Sequence, residues 1–140
     1  MNREIKFRGQ RVDTKEWVYG YLFKIWERTY ILWGTTNGVP NMIEVIPETV
    51  GQFTGLHDKN GVEIYEGDII PYHFNHDKVG IVKYGEHHNP FDSDNHGGHV
   101  GFYLDWSETD SLLRVDLGYW IKVSEVIGNI HDNPDLLEAR

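Results

Sequence analysis

Apolar and polar residues alternate along short stretches of this chain, and the alternation breaks at corners rich in Gly, Asn and Asp. A period of two is the mark of half-buried strands. Ile5 and Phe7 alternate with Lys6 and Arg8, which predicts a strand over residues 4–11. Asp13-Thr14-Lys15-Glu16 is a polar connection, and WVYGYLFKI over residues 17–25 reads as the next strand, so a hairpin through 13–16 is the simplest topology. With Val12 facing Trp17, one face holds Ile5, Phe7, Val18, Gly20 and Leu22. The other holds Lys6, Arg8, Trp17, Tyr19, Tyr21 and Phe23. A turn at Glu27-Arg28 leads into a strand over 30–33. A loop over 34–38 follows, with Asn37-Gly38 as its tightest corner, then a strand over 42–46 stopped by Pro47.

The densest turn signals lie in residues 44–70. Asp58-Lys59-Asn60-Gly61 suits a tight turn with positive φ, and Val62, Ile64 and Ile69 fit a strand interrupted at Gly67-Asp68. Further strands are expected over 78–84, 99–106, 117–123 and 126–130, with a polar loop over 85–98. Asn133-Pro134-Asp135 is a helix start, because Asn caps and Pro tolerates the first turn. Leu136 and Leu137 would dock that short helix. The expected fold class is all-β: an N-terminal β-meander lobe over about 1–56, and a C-terminal SH3-like partial barrel over 57–140 ending in the short helix. The barrel reading rests on several short strands with glycine corners, which close most simply by removing their exposed edges.

Composition supports strands over helices. Fifteen glycines and a single alanine, Ala139, disfavour helix, while five Trp, eight Tyr and six Phe favour pleated, packed surfaces. The absence of cysteine excludes a disulfide framework, a thiolate metal site and a cysteine nucleophile. No apolar run approaches the roughly 20 residues of a membrane span. The charged start MNREIKFRG lacks the apolar segment of a signal peptide. A cytoplasmic protein with no membrane partner is expected. Net charge is −9, which opposes undirected binding to nucleic acid. Its distribution is uneven: residues 1–30 carry seven cations against four acids, or +3, so residues 31–140 carry −12.

Candidate chemistry is sparse. His73, His76, His87, His88, His96 and His99 cluster in one segment with Asp92 and Asp94, ligand types that suit Zn²⁺. The three-residue offsets of His73/His76 and His96/His99 favour a helix or tight turn, whereas the surroundings read as strand and glycine loop. Asp92-Ser93-Asp94 opens like a calcium loop, but Tyr103 stands where the bidentate Glu belongs. No metal and no cofactor is therefore assigned. The serines lack a nucleophile-elbow context. Glu63, Glu66 and Asp68 read as turn acceptors rather than an acid/base pair, so no catalytic residue is assigned and the protein is not expected to be an enzyme. The best functional candidate is the basic, aromatic hairpin face: Lys6 and Arg8 to meet phosphates or a partner, and Trp17, Tyr19 and Tyr21 to stack.

Several motifs in order resemble the YopX family: Lys6-Phe7-Arg8-Gly9, Trp17-Val18-Tyr19-Gly20, Val50-Gly51-Gln52-Phe53-Thr54-Gly55-Leu56, Asp58-Lys59-Asn60-Gly61, Ile64-Tyr65-Glu66-Gly67-Asp68-Ile69 and Val126-Ile127-Gly128-Asn129-Ile130. Residues 73–111 carry no matching motif. The resemblance implies a phage or prophage origin, a β-rich fold and no known activity. The resulting expectation is a non-enzymatic accessory protein that binds a host or phage protein, or another copy of itself, through exposed aromatics or a sheet edge. The alternatives are a nucleic-acid-binding module built on the N-terminal hairpin and, more remotely, a metal-dependent enzyme built on the His-rich loop.

Overall fold

The computed structural model describes residues 4–72, 75–87, 99–106 and 115–138. The chain forms two compact units, Met1–Gly55 and Leu56–Arg140. The strand pairings described in each are antiparallel, and the protein is all-β.

In the first unit, β1 (Phe7–Gln10), β2 (Trp17–Ile25), β3 (Arg28–Thr36) and β4 (Val39–Glu44) form a meander. After a 3-10 turn at Pro47–Thr49, β5 (Gly51–His57) returns to pair with β1, giving the order β4-β3-β2-β1-β5. The alternation works as expected: Ile31, Thr29 and Val45 are buried on one side of the sheet. Gly9 packs closely there: a Cβ on it would lie 3.1 Å from the Val45 side chain, which would have to give by a few tenths of an ångström. The register differs from the expected one by two residues. Gln10, not Val12, faces Trp17, because the four-residue loop is 12–15 rather than 13–16, closed by Arg11 N–H to the Glu16 carbonyl at 2.9 Å. An even slip keeps every side chain on its predicted face. The β2–β3 turn also moves. It is formed by Trp26-Glu27, and Arg28 already pairs with Ile25.

In the second unit, β6 (Glu63–Tyr65) is followed by β7 (Asp68–Tyr72), β8 (Asn75–His87), β9 (His99–Asp105) and β10 (Gly128–Asn129). Four of these make an open sheet in the order β10-β7-β8-β9. Its core comprises Ile64, Ile70, Val82, Leu104, Trp106, Leu117 and Trp120, with Trp106 and Trp120 in edge-to-face contact at 5.1 Å. The strand expected over 117–123 is instead a helical turn, α1 (Leu117–Trp120). Leu117 and Trp120 both reach the core. An offset of three puts them on one side of a helix but on opposite faces of a strand. The strand expected over 126–130 contracts to the ladder of β10. α2 (Asp135–Glu138) starts where Asn133-Pro134 predicts, with the Leu136 N–H bonded to the Asn133 carbonyl at 3.0 Å.

The motif residues of the second unit are explained by backbone capture. Asp58 accepts the N–H groups of Asn60 at 2.8 Å, Val62 at 3.0 Å and Val126 at 2.9 Å. Buried Asp68 accepts Tyr65 N–H at 2.7 Å, as its position after Gly67 predicts, and Asn129 accepts the N–H groups of His131 and Asp132 at 2.9 Å.

Candidate interaction surface

The surface is made in the first unit by one strand that changes neighbours. β2 pairs with β1 over residues 17–20 and with β3 over 21–25. The change falls at Gly20, where the backbone of β3 comes so close that a Cβ would collide with the Leu32 carbonyl. Opposite it, β3 carries a bulge between Leu32 and Gly34, which leaves Trp33 as the extra residue. A bulge re-aims the side chain it carries. Together these two irregularities open a cavity of about 220 Å³ lined by Glu4, Ile5, Lys6, Tyr19, Gly20, Tyr21 and Trp33. Tyr19, Tyr21 and Trp33 are 46%, 64% and 50% exposed.

The five residues singled out from the sequence all lie on this hairpin, on the predicted common face, but they divide into two groups. Arg8 is only 7% exposed, and its guanidinium lies 4.6 Å from the centre of the Trp17 ring. Lys6 sits 5.1 Å from the centre of the Phe53 ring and pairs with Glu4 at 3.6 Å. These cations, with Trp17, are packed against the chain's own groups, their stems covering apolar surface. Tyr19 and Tyr21 are the members that face outward. The alternation pattern does not point to Trp33 or Trp26. The run Tyr30-Ile31-Leu32-Trp33 breaks strict alternation, which is the sequence trace of the bulge. Trp26 lies between charged Lys24 and Glu27 at a turn, where burial is least expected.

Elsewhere, Glu63 accepts the Tyr65 hydroxyl at 2.9 Å. His87 stacks on Tyr103 at 4.6 Å, with its Nδ1 3.1 Å from the Gly85 carbonyl oxygen. His73, His88, His96, Asp92 and Asp94 lie outside the described residues, as do the side chains of His76 and His99. Among the described residues, no group of three or more His, Asp or Glu is arranged to hold a metal ion, and no helix is long and apolar enough to cross a membrane.

Comparison with known proteins adds a family and a fold. No curated protein matches the chain. The crystal structure of protein EF1440 from Enterococcus faecalis is similar to it, with a TM-score of 0.51 and 23% identity over 97% of this chain and 99% of that one; at this identity the likeness speaks to the fold. The family model described as YopX protein matches residues 6–138, nearly the whole sequence. The chain belongs to the YopX family.

Proposed function

We propose that this protein is a non-enzymatic accessory protein of a phage or prophage, acting in the bacterial cytoplasm by binding another protein through the aromatic surface of its first unit. The observation that carries this reading is the exposure of Tyr19, Tyr21 and Trp33 around a preformed cavity. Tyr and Trp are enriched at the buried centres of protein interfaces, where one rigid aromatic excludes much water at low entropic cost. A phosphate backbone on this face would need its two cations, but Arg8 is buried against Trp17 and Lys6 lies over Phe53 beside Glu4. A protein partner is therefore favoured over nucleic acid.

The test is affinity purification of the tagged chain from phage-infected cells, with wild type, Tyr21→Ala and Trp33→Ala compared at equal yield of folded protein. The reading expects a partner in near-stoichiometric amount with wild type and its loss with both variants. A partner retained by both variants, or none with wild type, contradicts it.

A further inference from the structure

The two-residue loop of the β2–β3 hairpin is Trp26-Glu27, with φ of 47° and 71°. The next hairpin, β3–β4, makes the same kind of loop with Asn37 and Gly38, at 52° and 79°. Asn-Gly is what such a turn ordinarily demands, because left-handed backbone disfavours residues with bulky side chains. One chain thus makes the turn twice, once with the suited residues and once with an aromatic and an acid. Trp26 is also 92% exposed, so it contributes little to the core. A bulky aromatic held in a disfavoured conformation and displayed to solvent points to a role outside the turn.

The cavity at Gly20 has the matching dimensions. Its volume of about 220 Å³ falls below the ~300–1,000 Å³ of small-molecule sites. It is far above the ~10–15 Å³ that holds one water. That is the scale of a single large side chain. Its walls, Tyr19, Tyr21 and Trp33, offer ring faces and edges to an indole. Its rim carries one charge of each sign, Lys6 and Glu4, and the turn carries Glu27 and Arg28 beside Trp26. The Lys6–Glu4 pair at 3.6 Å and the Arg28–Glu44 pair at 3.7 Å would exchange partners, with Glu27 meeting Lys6 and Arg28 meeting Glu4, which is 62% exposed. Trp26 cannot fill the cavity of its own chain. It stands six residues along β2 from Gly20, about 20 Å at strand rise.

We propose that Trp26 of one copy inserts into the Tyr19–Tyr21–Trp33 cavity of a second copy, so that the hairpin tip is a knob and the cavity beside Gly20 its socket. This rests on the reading of the aromatic surface as an interaction surface and names a second copy of the chain as an occupant. Knob and socket are different surfaces, so the contact is either reciprocated across a two-fold axis or propagated around a ring.

The test is sedimentation velocity of the full chain over a wide concentration range. Wild type should form assemblies that are multiples of 16.3 kDa. The double change Trp26→Asn with Glu27→Gly removes the knob while giving the turn its favoured residues, so folding is retained. It should be monomeric, as should the socket variant Trp33→Ala. Mixing the two variants restores one intact knob and one intact socket, and the mixture should associate where neither does alone. A wild type that stays monomeric, an assembly unchanged by the double variant, or a mixture that remains monomeric overturns the proposal. A monomeric wild type that still captures a partner through Tyr21 and Trp33 would sink this inference and leave the partner reading standing. Loss of both assembly and capture would sink both.

Discussion

Removing the Asp58 carboxylate should loosen the second unit by a predictable amount. Its two oxygens hold three backbone N–H groups, those of Asn60, Val62 and Val126, the last of them 68 residues away in sequence. A hydrogen bond to a charged group contributes roughly 1.5–3 kcal/mol. Asn60 and Val62 are exposed, so water can replace the acceptor for their N–H groups; Val126 is partly buried and loses more. Asp58→Ala should therefore cost roughly 2–4 kcal/mol, and Asp58→Asn, which keeps Oδ1 as an acceptor, about half of that. Desolvation is the largest single influence on this carboxyl and raises its pKa. The N–H groups of Val126, Val62 and Asn60, with His57, outweigh it, and the pKa lies below the ordinary 3.8. A depressed folded-state pKa gives stability that is present above the unfolded value and lost as pH falls through the folded one. The gap between wild type and Asp58→Ala should thus be full at neutral pH and narrow below pH 3.8. Urea unfolding followed by the fluorescence of buried Trp106 and Trp120 reads it directly. An Asp58→Ala midpoint within error of wild type, or a gap that stays constant into acid, would refute the argument.

Three further outcomes follow from the first unit. Gly20→Ala should cost roughly 1–3 kcal/mol, because its Cβ meets the Leu32 carbonyl, and a denaturant titration measures the loss. Trp26→Asn with Glu27→Gly should stabilise by about 1 kcal/mol, raising the unfolding midpoint while removing the largest exposed ring. Arg8→Ala should destabilise by roughly 1–2 kcal/mol through loss of the contact with Trp17. An unchanged unfolding midpoint would contradict a structural role for that contact.

The two hairpin faces are legible because period two survives an error of two in register, so Tyr19 and Tyr21 share a face in the sequence pattern and in the structure although their strand partners differ. The Asn37-Gly38 corner and the Asn133-Pro134 helix start were legible because each needs only local geometry. Residues 117–123 were not, because Leu117, Tyr119, Trp120, Ile121 and Val123 satisfy both periods. What decides for helix is the core beneath Leu117 and Trp120, which lies far away in sequence. The cavity was hidden for a related reason. It depends on β2 exchanging one neighbour for another at Gly20 while β3 bulges at Trp33, and neither event is written in one strand alone. The burial of Arg8 was equally obscure, since a cation alternating with apolar residues ordinarily marks the solvent side. The partnership with Trp17 across the hairpin reverses that expectation.

The central claim, that the aromatic surface of the first unit is where this protein meets another protein chain, is tested most directly by a photo-reactive amino acid placed at position 21 in infected cells. The same probe at exposed Lys59, in the second unit, serves as the control. The account predicts a discrete covalent adduct to a protein from position 21 and none from position 59. No adduct from position 21, or the same adducts from both, would contradict it.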